Sequence, residues 1–320
     1  MRDANMRERS QAVVQSVDWH PNAQLVLTAA YDKRLRLFNV DGVHNPLVQS
    51  VFIKDMPVHQ AAFASGGKTV VVSGRRKFFY CWDLESQRLD LIKGVLGFDA
   101  NSLESFAVPP PTVQGATACM AFLGNEGEIG LVSMQSRQLV GTVKMNGQVR
   151  SAAFDPTGRE LYTGGTDGRV LVWDLRTQRC LHSFVDEGCI KGSAIAVSGS
   201  AVAAGSASGV VNVYARWRQG AGGGSNTPAP LRALDNLVTT VDTLRFSPDG
   251  TMLCMASRMK RDSLRLVHMP SRTVYANWPT SRTPLGHVHC ACFSPGGGML
   301  AIGNAKGHVL TYRLHDFAQV

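Results

Sequence analysis

Short segments of alternating apolar and polar residues recur along the chain, and a large apolar residue in one segment is separated by 19 positions from another two segments later. The pairs with this spacing are Trp19 and Phe38, Phe63 and Trp82, Phe154 and Trp173, Ile195 and Tyr214, and Phe293 and Tyr312. Alternation predicts half-buried strands, and the Pro/Gly clusters between segments predict tight turns. A strand-turn repeat of about 40 to 50 residues that ends in a Trp-Asp-like pair is typical of a β-propeller blade.

We therefore predict an all-β protein with seven blades, forming one domain over residues 1–320. The predicted ranges are 14–41, 58–86, 103–136, 149–177, 189–217, 238–271 and 287–315. Blades two and four end in the pairs Trp82-Asp83 and Trp173-Asp174. Blade three contains Pro109-Pro110-Pro111 and has no such pair, so it is inferred mainly from the gap between its neighbours.

A propeller ring must close, because an open sheet edge exposes unpaired backbone groups. We expect residues from about Met6 to Ala12 to supply the outer strand of blade seven, which leaves no room for a tail before blade one. Residues 219–230, rich in Gly, Ser and Pro, are predicted to be a flexible loop insertion.

Among the features of the composition, the cysteines and the charged residues bear most on the function. The chain of 320 residues has no apolar run long enough to span a membrane and no secretory signal at its start. Seven scattered cysteines favour a reducing compartment over a disulfide framework. Cys290 and Cys292 are expected to point to one face of a strand, and core packing explains them better than a metal site, which would need further ligands.

The sequence lacks a zinc-type His-x-x-x-His pair, a Gly-x-Ser-x-Gly nucleophile motif and a dinucleotide fingerprint. His59, His287 and His289 lie near predicted strand starts, where hydrogen bonding within a blade is the simpler role. We accordingly expect no catalytic residue, no cofactor, no metal and no small-molecule substrate. Function is then expected to depend on binding.

The turns between the second and third strands of every blade open on one face of a propeller, and basic residues are concentrated in four adjacent turns. These residues are Lys33, Arg34, Arg75, Arg76, Lys77, Arg258, Lys260, Arg261 and Lys306. With two acidic neighbours they account for +7 of the net charge of +9. This basic arc either is a solvated rim or engages an acidic protein surface or a phosphate backbone. Few aromatic residues accompany it, so a base-stacking platform is poorly supported.

Several stretches of the sequence are more specific than the blade pattern. They are Ser16-Val-Asp-Trp-His-Pro-Asn-Ala-Gln24, Leu37-Phe-Asn-Val-Asp-Gly42 with Asn45-Pro46, Phe184-Val-Asp-Glu-Gly188, Asn236-Leu-Val-Thr-Thr240, and Ile302-Gly-Asn-Ala-Lys-Gly307 with Tyr312-Arg-Leu-His315. Together they resemble the WD-repeat family of U3 small nucleolar RNA-associated protein eighteen, over nearly the whole chain.

The resemblance implies a non-enzymatic scaffold subunit of the U3 snoRNP and small-subunit processome, acting in pre-rRNA processing and 18S rRNA maturation in the nucleolus of the nucleus. Its partners would be other WD-repeat proteins and the U3 snoRNP, with RNA-backbone contact left open. The competing hypotheses are a substrate receptor or signalling adaptor, such as a ubiquitin-ligase adaptor, and, far behind, a propeller enzyme.

Family members carry a long N-terminal extension with a Leu-Phe-x-Val-Asp motif that recruits an exosome helicase. Leu37-Phe38-Asn39-Val40-Asp41 matches that motif, but its place in the repeat predicts the third strand of blade one. We expect a strand there, so helicase recruitment by this chain is not predicted.

Overall fold

The computed structural model describes residues 2–113, 118–217, 228–280 and 282–314, and it confirms the seven-bladed β-propeller. The strands in chain order are β1 (Arg2–Asp3), β2 (Val14–Trp19), β3 (Leu25–Ala30), β4 (Arg34–Asn39), β5 (Leu47–Phe52), β6 (Gln60–Ala64), β7 (Thr69–Ser73), β8 (Phe79–Asp83), β9 (Leu89–Ile92), β10 (Phe106–Ala107), β11 (Cys119–Leu123), β12 (Glu128–Ser133), β13 (Leu139–Lys144), β14 (Val149–Phe154), β15 (Glu160–Gly165), β16 (Arg169–Asp174), β17 (Arg179–Val185), β18 (Gly192–Val197), β19 (Ala201–Ser206), β20 (Val211–Ala215), β21 (Arg232–Leu234), β22 (Thr243–Phe246), β23 (Met252–Ala256), β24 (Leu264–His268), β25 (Thr273–Val274), β26 (Val288–Phe293), β27 (Met299–Asn304) and β28 (Val309–Arg313).

These strands form seven four-stranded antiparallel sheets. Blades one to six take successive groups of four from β2 to β25, and blade seven combines β26, β27 and β28 with β1. A 3-10 turn, Ser65–Gly67, joins β6 to β7. Over the described ranges, the chain has no helix with the length and hydrophobicity needed to cross a membrane.

The strand register explains four of the five 19-residue spacings. In each of these four blades, both residues of the pair lie opposite the same residue of the middle strand. Trp19 and Phe38 lie opposite Val26, Phe63 and Trp82 opposite Val70, Phe154 and Trp173 opposite Leu161, and Phe293 and Tyr312 opposite Leu300. Each trio therefore forms one row across a blade, and such cross-strand rows stabilise sheets.

Blade five differs from this pattern. Tyr214 lies opposite Val202, which pairs with Val197, whereas Ile195 pairs with Ala204. The turn between β18 and β19 is shorter than its counterpart in blade one, so the structural partner of Tyr214 is 17 positions away. The equal spacing of Ile195 and Tyr214 therefore does not mark equivalent positions.

The aspartates of the two Trp-Asp pairs bind the turns that follow them. Asp83 Oδ1 accepts hydrogen bonds from the backbone N–H groups of Glu85, at 2.9 Å, and Ser86, at 3.4 Å. Asp174 accepts from the N–H of Arg176 at 3.0 Å and from the hydroxyl of Thr177 at 2.7 Å. These bonds lower the pKa of both carboxyls and define the turn to the outer strand.

Blade three is present, with bounds that differ from the prediction. Its inner strand β10 has only two residues, and its outer strand β13 ends at Lys144. The three prolines begin one residue after β10, and because proline has no N–H to donate, they prevent the strand from extending. Residues 114–117 of the next connection lie outside the described ranges, as does most of the predicted 219–230 insertion.

An N-terminal strand closes the ring, as predicted, but the predicted range from Met6 to Ala12 was wrong. Strand β1 pairs with β28, with Arg2 opposite Thr311 and Asp3 opposite Leu310. The pairing extends through Ala4, whose N–H donates to Val309 O at 2.7 Å. Met6 to Arg9 are exposed, Ser10 is buried again, and the chain leaves the sheet here to reach blade one.

Antiparallel order gives the ring two distinct faces. The turn between the second and third strands of a blade opens on the same face as the connection that leads into the next blade, and we call this the upper face. The remaining turns form the lower face. The apolar core lies between blades, as where Leu27 and Leu37 of blade one pack with Val72 and Trp82 of blade two.

Candidate interaction surface

The nine basic residues predicted to form an arc lie on the upper face, in the turns of blades six, seven, one and two. Only Arg34 lies within a strand, as the first residue of β4. Eight of the nine are exposed, and Lys33 is half-buried. The fold thus brings together residues separated by more than 270 positions in the sequence.

Backbone constraints shape two of these turns. Gly307 has φ +80°, and a Cβ there would meet the backbone oxygen of Ser10 in the connection from blade seven to blade one. Only glycine allows this close approach. Lys33 adopts a similar left-handed conformation, with φ 62°, in the turn of blade one.

Three basic residues of the arc are paired with acidic residues that the sequence count omitted. Arg75 Nε lies 2.8 Å from Glu104 Oε2, and Lys77 Nζ lies 3.1 Å from Asp99 Oδ1. Arg258 Nε lies 3.1 Å from Asp242 Oδ1. Because these acids come from blade-to-blade connections on the upper face, the net charge of the turns overstates the charge of the surface.

The other basic residues differ in how they are held. Lys33 Nζ donates to Lys54 O at 3.1 Å, and the Arg34 guanidinium lies 5.8 Å from the centre of the Phe52 ring. A last group forms no ion pair with any described residue: Arg76, Lys260, Arg261 and Lys306. Three of these four lie on blades six and seven, so the available charge is concentrated there.

Sequence reasoning missed a second feature of the upper face, which is its exposed aliphatic residues. The five most exposed large apolar side chains of the described chain are Leu96 (97%), Ile190 (91%), Val238 (67%), Met259 (66%) and Met6 (61%). All five lie in upper-face turns or connections. They occur singly, without periodicity, so only the topology reveals that they share a face. Exposed apolar groups among basic ones are typical of protein interaction surfaces.

The three histidines are held by neighbouring blades. His287 Nδ1 lies 3.1 Å from Arg258 O, and His289 Nδ1 lies 3.5 Å from Gln15 Nε2. Burial lowers the pKa of His59 and of His289 below the ordinary value of 6.5. His59 and His289 are therefore mainly neutral at pH 7. Among the described residues, no nucleophile or carboxylate is arranged with the three histidines as a catalytic group.

The two cysteines of β26 were predicted from their spacing to point to one face of the strand, and both contact blade one. Cys290 Sγ donates to Val14 O at 3.7 Å, and Cys292 Sγ donates to Asp18 Oδ1 at 3.5 Å. Burial raises the pKa of Cys290 to about 12, which keeps the thiol protonated. In the described ranges, no three His, Cys, Asp or Glu side chains are grouped to hold a metal ion.

Leu37 and Asn39 belong to β4, as predicted, and Val40 and Asp41 follow it. The side chains of Leu37, Phe38 and Val40 are buried in the blade. A partner could not reach them without opening blade one.

Comparison with known proteins was consistent with these features. The family model "WD domain, G-beta repeat" matches residues 6–39 and 137–174. The chain is 44% identical to U3 small nucleolar RNA-associated protein 18 homolog of Arabidopsis thaliana, over 98% of this chain and 56% of that protein. The chain is thus similar to these U3 small nucleolar RNA-associated proteins over nearly its whole length. The human homolog is 37% identical over 98% of this chain and 56% of its own length, and the Saccharomyces cerevisiae protein is 32% identical over 99% and 60%.

The resemblance found in the sequence motifs is thereby confirmed over nearly the whole chain. The chain spans less than two thirds of the length of these relatives.

Proposed function

We propose that this chain is a non-catalytic scaffold subunit of the U3 snoRNP and small-subunit processome, acting in pre-rRNA processing and 18S rRNA maturation. The observation that carries the proposal is the similarity of almost the entire propeller to proteins named for their association with U3 small nucleolar RNA. Such a role places the protein in the nucleus, within the nucleolus.

The geometry suits a scaffold. A closed ring of seven sheets holds its turns rigidly, because each blade packs on both neighbours. Because the ring is rigid and the turns differ in sequence from blade to blade, different turns can hold different partners in fixed positions. We propose that the upper face, with its basic arc, is the surface that contacts processome proteins, and that any RNA contact there is to the backbone.

Affinity purification of the tagged chain, followed by quantification of U3 snoRNA and pre-rRNA, tests the proposal. Both RNAs should be enriched over an unrelated snoRNA. Recovery of a ubiquitin-ligase core without either RNA would instead support the substrate-receptor alternative and overturn the scaffold role.

Charge reversal on the upper face tests the surface itself. Lys260, Arg261 and Lys306 are the most informative positions because no described acid pairs with them. Changing them together to Glu should lower U3 snoRNA recovery. The matched control reverses three exposed arginines at the lower-face side of blade four, Arg159, Arg176 and Arg179, and should leave recovery unchanged.

A further inference from the structure

A polar cavity of about 320 Å³ opens between the connection into blade one and the upper end of that blade. Three arginines and two carboxylates contribute to its wall. Its lining residues are Glu8, Arg9, Gln11, Asp32, Arg34 and Arg36. Of these residues, Arg9 also contacts the closing strand, because its Nη2 atom lies 3.8 Å from Asp3 Oδ2.

Arg36 is the unusual member of this group, because its charged side chain is almost fully buried. Its Nη2 atom donates to Asp32 Oδ2 at 2.7 Å, and its Nη1 atom donates to Ser10 Oγ at 3.3 Å. Its Nε atom makes no hydrogen bond with the described residues and lies 3.9 Å from Glu8 Oε2, beyond hydrogen-bond distance. A buried N–H donor without an acceptor destabilises the fold. An anionic oxygen of a ligand that accepted a hydrogen bond from Nε would therefore be stabilised there.

The cavity adjoins exposed apolar groups. Met6 lies in the same connection as Glu8 and Arg9, and Phe52, opposite Arg34 on the neighbouring strand, is more than half exposed. Lys306 in the turn of blade seven and the Met259, Lys260 and Arg261 run in the turn of blade six continue this surface around the ring. Basic and aliphatic side chains therefore alternate over blades six, seven and one.

This chemistry favours a protein segment over RNA. The most exposed apolar groups of this surface, Met6 and Met259, are not aromatic, and such side chains do not provide the stacking surface that single-stranded RNA uses. Phe52, although more than half exposed, already has the Arg34 guanidinium 5.8 Å from the centre of its ring. The carboxylates of Glu8 and Asp32 would repel the successive phosphates of an RNA backbone. A single carboxylate of a protein segment needs only the planar guanidinium group of an arginine to bind.

We propose that the upper face of blades six, seven and one binds an acidic protein segment with aliphatic side chains, one carboxylate of which enters the Arg36 cavity. This proposal rests on the scaffold role and specifies the class of partner. Apolar side chains of the segment contact Met6 and Met259, while its other acids lie near Lys260, Arg261 and Lys306.

Fluorescence anisotropy with the purified chain tests this directly. The probe is a fluorescein-labelled peptide of Glu-Leu-Gly repeats, compared with the same peptide carrying Gln for Glu and with an oligouridylate RNA. The acidic peptide should bind at least about tenfold more tightly than the Gln peptide, a difference that corresponds to one strong charge-assisted contact.

Variants separate the parts of the surface. Arg36→Lys keeps a cation beside Asp32 but lacks the planar fork, so affinity for the acidic peptide should fall by about tenfold. Met6→Ser with Met259→Ser, and the triple change of Lys260, Arg261 and Lys306 to Glu, should each weaken binding as well. The Arg159, Arg176 and Arg179 reversal should leave it unchanged. Circular dichroism and thermal unfolding confirm that each variant is folded.

Equal binding of the Glu and Gln peptides, or the absence of binding by the unmodified chain, overturns the proposal. Tighter binding of oligouridylate that is lost in the same variants overturns it in favour of an RNA surface. Peptide binding is measured without the processome, so its failure while U3 snoRNA still copurifies refutes only this inference. Peptide binding without U3 recovery refutes only the scaffold role.

Discussion

Two tryptophans at equivalent positions show how single residues adjust the repeat. Trp173 Nε1 donates to Thr163 Oγ1 at 2.9 Å, inside blade four. Trp82 of blade two is fully buried, and its Nε1 atom has no hydrogen-bond partner in the described chain. Val72 occupies the position in β7 that Thr163 occupies in β15, two residues beyond the residue opposite the tryptophan.

Exchanging these two residues should therefore have opposite effects. Val72→Thr gives Trp82 an acceptor and should raise the free energy of unfolding by about 1 kcal/mol, whereas Thr163→Val should lower it by about 1 to 2 kcal/mol. Chemical denaturation of both variants checks this. A destabilising effect of Val72→Thr as large as that of Thr163→Val would contradict the interpretation.

Asp41 gives a pH-dependent prediction. Its Oδ1 atom accepts three backbone N–H bonds, from Val43 at 2.8 Å, His44 at 2.7 Å and Asn45 at 2.9 Å. These bonds lower the pKa of Asp41 from 3.8 to about 2. Because the folded pKa is below the unfolded one, the carboxylate stabilises the fold above about pH 4, and this contribution is lost as the pH falls towards 2.

Asp41→Asn should lower the melting temperature at pH 6, and the difference from the unmodified protein should shrink as the pH falls from 4 to 2. The exposed Asp235→Asn serves as the control and should show no such convergence. Melting curves that stay equally separated at pH 2 would contradict the assignment.

At the scale of elements, the 19-residue hydrophobic spacing predicted the blades, because the pairing register of three neighbouring strands fixes that spacing. It was misleading in blade five, where a shorter turn moved the partner of Tyr214 from Ile195 to Val197. It also placed the closing strand too late. Asn5 and Ala4 are buried, but neither forms part of an alternating pattern that sequence reasoning could detect.

Closure should depend strongly on Asn5. Its Nδ2 atom donates to Gly307 O at 2.6 Å, and its Oδ1 atom accepts from Val309 N at 2.9 Å, so one side chain bonds the outer edge of β28. Asn5→Ala should cost about 2 to 4 kcal/mol, because it leaves buried backbone groups without partners. Hydrogen exchange of β28 should accelerate selectively, while Asn236→Ala, an exposed change, should have little effect.

At the scale of the molecule, the sequence located the basic residues on one face but not the charge that remains available. Glu104, Asp99 and Asp242 lie 16 to 29 positions from the residues they neutralise, so only the folded ring shows the pairing. The aliphatic groups that share the face were likewise invisible without the topology. The pairing moves the centre of the available positive charge from blade two towards blades six and seven.

The measurement that tests the central claim most directly is the amount of U3 snoRNA that copurifies with the tagged chain and its two charge-reversed variants. The account predicts enrichment with the unmodified chain, reduced recovery when Lys260, Arg261 and Lys306 are changed to Glu, and unchanged recovery for the blade-four control. Absence of U3 snoRNA from the unmodified chain, or equal recovery with all three proteins, would contradict it.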